Sequence, residues 1–190
     1  VVTLATEVLV AGALALRFRF GHGYTWLDAL WHGAFHAVMA FNNAGFGLHP
    51  DSFNRYATDP VVTAALMVAI VIGGLGFPVL VDLYARRRER RRLSLHSRVT
   101  LWGTAVLLVA GFVVVVTFEW RNPATLGAYD TVDKLWVGLF GSVTPRTAGF
   151  HTITPAAMTD EGLLSTMALM FIGAGSAGTS GGIRVGTFAL

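Results

Sequence analysis

Cysteine is absent from this chain, which excludes a disulfide framework and a thiolate metal site and leaves the redox compartment unmarked. Charge is scarce as well: Asp, Glu, Lys and Arg make up 13% of 190 residues, while 54% are hydrophobic and the mean hydropathy is +0.59. Such a balance excludes an ordinary soluble domain and places the chain in a bilayer. No Gly-Lys-Ser/Thr follows a glycine-rich stretch, so no phosphate-cradling loop is present. The N-terminal residues Val1 to Leu16 are apolar apart from Glu7, without a basic leader or a small-residue cleavage site. They are expected to be the end of a spanning helix rather than a signal peptide. The chain begins with Val1 and stops in an apolar run, so it is expected to be part of a longer protein.

What is present begins with apolar runs. Val61 to Val81 and Val99 to Phe118 each continue for about twenty residues without a charge, enough at 1.5 Å per residue to cross roughly 30 Å of hydrocarbon. A third run, Gly162 to Ile183, is as long but rich in glycine. The pI near 9.8 would suggest nucleic acid until the basic residues are placed. Seven of the fourteen Lys and Arg lie between Arg86 and Arg98, directly after a spanning segment. That is the positive-inside signal, so no nucleic-acid partner is expected. With 86–92 in the cytoplasm, Val61 to Val81 runs inward and Val99 to Phe118 outward, and Leu48 to Pro60 and Arg121 to Asp130 are outer turns.

An internal repeat ties these pieces together. Asp28-Ala-Leu30-Trp31-His-Gly33-Ala-Phe35 and Asp133-Lys-Leu135-Trp136-Val-Gly138-Leu-Phe140 agree at five of eight positions. About fourteen residues after each Trp stands Ala-Gly-Phe, Ala44-Gly45-Phe46 and Ala148-Gly149-Phe150, and a spanning run follows. The fold expected is therefore an all-α polytopic membrane protein of tandem parallel M1-P-M2 pore-loop repeats. The first unit is 1–96: spanning 1–20, pore helix 25–41, filter 42–47, spanning 61–85, cytoplasmic basic linker 86–96. The second is 97–190: spanning 97–119, pore helix 131–143, filter 144–150, interrupted spanning helix 162–190.

Helices this short stop at depth, and the free carbonyls at their C-terminal ends favour a cation beyond them. Backbone carbonyls can replace a cation's water shell without any carboxylate, and no acidic residue stands in either filter. Gly45 and Gly149 suit the positive-φ or close-approach backbone this needs. Phe46 and Phe150 are expected to pack behind the filter and brace it. Asn42, Asn43 and Thr147 are expected to hydrogen-bond filter backbone, and Arg146 to reach pore-helix carbonyls or the outer surface.

Phe41-Asn-Asn-Ala-Gly-Phe46, Thr144-Pro-Arg-Thr-Ala-Gly-Phe150 and Gly173-Ala-Gly-Ser-Ala-Gly-Thr-Ser-Gly-Gly-Ile-Arg184 together resemble the Trk/Ktr/HKT superfamily of potassium-uptake membrane subunits. The resemblance covers essentially the whole chain and implies the second and most of the third of four repeats around one pore. It implies filter positions Asn43, Ala44, Gly45, Phe46, Thr147, Ala148, Gly149 and Phe150. Potassium would be held by backbone carbonyls of Asn43, Ala44, Gly45, Thr147, Ala148 and Gly149. It also implies an intramembrane gating loop at Gly173, Gly175, Ser176, Gly178, Thr179, Ser180, Gly181 and Gly182, where Ala177 and Ser180 depart from the usual form. Glycine-rich backbone inside a span is tolerated only beside protein or a cavity, which suits a plug below a filter. The implied function is potassium uptake across the cell membrane, multi-pass, with pore loops facing outside. No enzyme activity and no cofactor are expected, K+ being the transported ion. The implied partners are a second pore subunit, giving a homodimer, and a cytoplasmic nucleotide-binding regulatory subunit, with membrane lipid against the basic linker.

Other patterns compete. Gly173-Ala-Gly175-Ser-Ala-Gly178 fits a dinucleotide fingerprint but lies within an apolar run rather than after a strand. Gly178-Thr-Ser180-Gly-Gly182 fits G-x-S-x-G, and an intramembrane serine protease with Ser180 as nucleophile would need a histidine base beside it. The histidines, His22, His32, His36, His49, His96 and His151, lie mostly on the outer side or in a pore helix. His32 and His36 are four apart, a ligand spacing, but no third ligand is evident, and packing against neighbouring helices is expected. Glu7 and Asp82 are candidate relay groups, with Asp82 alternatively paired to nearby arginines.

Overall fold

The computed structural model describes residues 2–89 and 92–188. Arg90 and Arg91 of the expected basic linker, and Val1, Ala189 and Leu190 at the ends of the two expected units, lie outside the described residues. The described residues form eight α-helices and no β-strand: α1 Val2–Gly21, α2 Trp26–Phe41, α3 Pro60–Leu75, α4 Phe77–Glu89, α5 Leu95–Glu119, α6 Thr131–Val143, α7 Asp160–Phe171 and α8 Val185–Phe188.

Local chemistry sets several of these ends. Thr25 caps α2 by accepting from the Asp28 amide, and Thr159 caps α7 by accepting from Gly162. Asp59 caps α3 through the amides of Val61 and Val62, with Pro60 pre-set at the first helical position. Ser94 caps α5 and, with Ser97, donates to the Asp82 carboxylate of α4. Asp82 is thus held by serine hydroxyls at a helix start. Glu7 accepts from Asn42 Nδ2 at 3.4 Å.

Helices α1, α2 and α3 pack together, α5 packs on α6 and α7, and α3 against α6 joins the two groups. The main core runs through both, from Leu14, Phe18, Phe41, Leu66 and Ile70 to Phe140, Ala148 and Phe150. The joint is pinned by Trp136 Nε1, which donates to Thr63 Oγ1 at 2.7 Å; its counterpart in the repeat, Trp31, is 61% exposed.

Among the described residues, length and composition let one helix cross a membrane alone, α5. Only 22% of its most apolar stretch is buried, which leaves a large apolar face uncovered. The expected continuous span 61–85 is corrected: α3 and α4 are bent by 97°. The break is Gly76, whose φ of 85° and ψ of 155° lie in a region open essentially to glycine alone. A Gly-Phe-Pro sequence at 76–78 marks it. The expected interrupted span resolves into α7, a looped segment 172–184 and α8. His96 falls in the first turn of α5 rather than in a linker.

Candidate functional site

Helices α2 and α6 both end inside the fold, and each hands over to a turn. After α2, the Ala44 amide bonds the Met39 carbonyl at 3.0 Å. After α6, the Ala148 amide bonds the Thr144 carbonyl at 3.1 Å. The two turns share one backbone pattern. Asn43 (φ 49°) and Gly45 (φ 73°) are left-handed in the first, and Thr147 (φ 65°) and Gly149 (φ 74°) at the matching places in the second. The two turns also meet. A Cβ built on Gly45 would lie 2.6 Å from the Gly149 Cα, and one on Gly149 equally close to the Gly45 Cα. Any side chain at either position is therefore opposed twice, by φ and by the facing backbone.

The remaining expected filter residues divide. Phe150 is buried against Phe53 at a 5.2 Å centroid separation, edge to face. Phe46 is 70% exposed, so it does not brace its own turn, a correction to the expected symmetry. Ala148 is buried and Ala44 exposed. Arg146 is buried and reaches neither pore-helix carbonyls nor the outer surface; its Nη2 donates to the Thr104 carbonyl of α5 at 2.5 Å.

The looped segment 172–184 closes on itself through the Gly173 amide to the Ile183 carbonyl (2.8 Å) and the Ile183 amide to the Phe171 carbonyl (3.0 Å). It lies against the end of α3, where the Gly175 and Thr179 amides bond the carbonyls of Gly74 (2.9 Å) and Gly73 (3.2 Å). From one side Arg184 Nη1 donates to the carbonyls of Gly175, Gly178 and Ser180. Ser176 through Gly178 fill the notch left by the bend at Gly76.

This segment touches both turns by hydrogen bonds. Thr179 Oγ1 donates to the Phe41 carbonyl at 2.9 Å and accepts from Asn43 Nδ2 at 2.7 Å. The Gly181 amide donates to Thr147 Oγ1 at 2.8 Å. Asn43 and Thr147 therefore bond the glycine-rich segment rather than filter backbone, and Asn42 bonds Val38 O and Glu7. Sequence reasoning missed these cross-ties; the available signal was a hydroxyl or amide at each place in otherwise apolar backbone.

Beyond the turns, Phe53 N donates to the His151 carbonyl and His151 N to Ser52 Oγ, joining the loops that follow them. Behind the first turn, His32 and His49 stack at 4.9 Å. His36 Nε2 accepts from the Leu48 amide at 3.3 Å, leaving Nδ1 to donate to the His32 carbonyl. Among the described residues no three His, Asp or Glu are placed to hold a metal. Ser180 Oγ is buried and has no hydrogen-bond partner among the described residues, so no histidine of this chain stands beside it as a base.

The described residues are all-helical, with two helix-turn units that meet at their glycines. The chain belongs to the TrkH family of cation transport proteins, whose profile matches residues 1–190. It is 44% identical over 182 residues to the Ktr system potassium uptake protein B of Bacillus subtilis, covering 96% of this chain and 41% of that protein. It is 38% identical over 190 residues to the potassium/sodium uptake protein NtpJ of Enterococcus hirae, covering 100% and 42%. The structure resembles the crystal structure of the potassium transporter TrkH from Vibrio parahaemolyticus with a TM-score of 0.68 and 21% identity, over 94% of this chain and 36% of that one. The chain thus spans about two fifths of the length of the curated relatives it matches. Its family is one of cation transporters, not of enzymes.

Proposed function

We propose that this chain supplies two adjoining walls of a potassium-conducting pore, and that the full-length protein takes up potassium across the cell membrane. The observation that carries the reading is the meeting of Gly45 with Gly149 between two turns of matched left-handed pattern. Alternating the sign of φ lets successive carbonyls face one side of a chain, and rings of carbonyls replace a cation's hydration shell. The carbonyls of Asn43, Ala44, Gly45, Thr147, Ala148 and Gly149 would serve. Segment 173–182, tied under both turns, would be the gate.

In this reading the two units are parallel M1-P-M2 repeats, 86–92 is cytoplasmic, and the turns open to the outside. The apolar residues exposed on α1 and α5, Leu4, Val8, Leu9, Trp102, Val106 and Val109 among them, would face lipid or neighbouring repeats. A homodimer and a cytoplasmic nucleotide-binding regulatory subunit complete the assembly, and no cofactor is called for. Relatives named as potassium uptake proteins at 37–44% identity support the choice of ion.

Flux of potassium into proteoliposomes holding the full-length protein tests this. Uptake that depends on the protein and survives Ser180→Ala supports it. Absence of uptake, or cleavage of a membrane substrate that Ser180→Ala abolishes, contradicts it.

A further inference from the structure

The four left-handed residues of the two turns are not equivalent. Gly45 and Gly149 take positive φ without cost. Asn43 pays a modest steric price, and Thr147, branched at Cβ, is an outlier at φ 65°. These two non-glycine residues are the ones whose side chains are tied to segment 172–184, Asn43 to Thr179 Oγ1 at 2.7 Å and Thr147 to the Gly181 amide at 2.8 Å. Thr179 also fixes the end of α2 through the Phe41 carbonyl. The segment that makes these ties is itself held from outside by the Gly73 and Gly74 carbonyls of α3 and braced from within by Arg184.

We propose that Thr179 and the Gly181 amide are positioning groups that clamp Asn43 and Thr147 in their strained conformations, so that the glycine-rich segment sets the shape of the filter as well as closing the path beneath it. The proposal rests on the reading of the two turns as the filter. Strained backbone persists where the surroundings over-determine it, and here the side-chain ties come from one segment, the one that the proposed function makes the gate. Displacing that segment frees both residues at once, and a filter in its clamped shape holds the segment in place, since such coupling is reciprocal.

Glycine separates a clamp from mere packing, because glycine needs no clamp to stay left-handed. With the full-length protein in proteoliposomes, the ratio of potassium to sodium flux is read for Thr147→Ala, Thr147→Gly, Thr179→Val and Thr179→Val with Asn43→Gly. Thr147→Ala keeps the strain and loses the tie, so its ratio falls below that of Thr147→Gly by about tenfold, reversing the usual order of alanine and glycine. Thr179→Val lowers the ratio by a similar factor, and adding Asn43→Gly recovers most of it. Equal ratios for the two Thr147 variants, or no recovery by Asn43→Gly, overturn the clamp. Should Thr179→Val fail to assemble, the Thr147 pair decides. A wild-type protein without cation flux, or flux unaffected by Gly45→Asp, overturns the filter reading itself and the clamp with it.

Discussion

Replacing Gly76 by alanine isolates the bend between α3 and α4, the feature on which segment 172–184 is seated. At φ 85° and ψ 155° the backbone there is open essentially to glycine alone, and forcing another residue into it costs of order 1–3 kcal/mol. The new methyl would also meet backbone: the Gly178 nitrogen at 2.8 Å, the Ala177 carbonyl carbon at 3.0 Å and the Ser176 carbonyl oxygen. None of these can rotate away as a side-chain tip could, so overpacking adds roughly 1–3 kcal/mol. The sum is roughly 2–6 kcal/mol. Gly76→Ala is therefore expected to melt clearly below wild type. Gly12→Ala is the control, because nothing lies within 4 Å of its Cβ and alanine in a helix is favoured by up to about 1 kcal/mol. Thermal unfolding of the full-length protein in detergent, followed by tryptophan fluorescence, reads both. A Gly76→Ala protein that melts within a degree of wild type would refute the reasoning, since the bend would then be imposed by neither φ nor contact.

Three further outcomes follow from buried polar groups. Glu119 at the end of α5 is fully buried and accepts from Asn122 Nδ2, Thr125 Oγ1 and the amide and hydroxyl of Thr159. Glu119→Ala strands those donors and is expected to cost about 2–4 kcal/mol, seen as a lower melting point and faster proteolysis of the 121–130 turn. Burial pushes the Asp59 carboxyl up, but hydrogen bonds from Arg17 and His22 outweigh it and hold the group below its ordinary value. A depressed carboxyl stabilises the fold above its unfolded value and loses that contribution as pH falls through the folded one. Asp59→Asn is therefore destabilising by about 1–3 kcal/mol at neutral pH, and melting curves of the two proteins converge below about pH 4. Trp136→Phe removes the bond to Thr63 and is expected to cost about 1 kcal/mol, with a lower denaturation midpoint.

The helical membrane character was legible because apolar runs and scarce charge leave few alternatives, and the family because three motifs stand in a fixed order along the chain. The bend at Gly76 was hidden inside an apolar run of spanning length, where hydropathy outweighed a Gly-Phe-Pro breaker. The partners of Asn43, Thr147 and Arg146 were illegible for a different reason. Each lies 34 or more residues away in sequence, and a polar side chain names the kind of partner it needs but not where the fold supplies one. The unequal fates of Phe46 and Phe150 follow the same logic: identical tripeptides are packed by different neighbours.

The central claim is that Gly45 and Gly149 line a path for a dehydrated cation. The direct measurement is the ratio of potassium to sodium flux in proteoliposomes of the full-length protein, wild type against Gly45→Ser and Gly149→Ser. The account predicts a wild-type preference for potassium that either substitution abolishes. Flux and preference unchanged in both variants would contradict it.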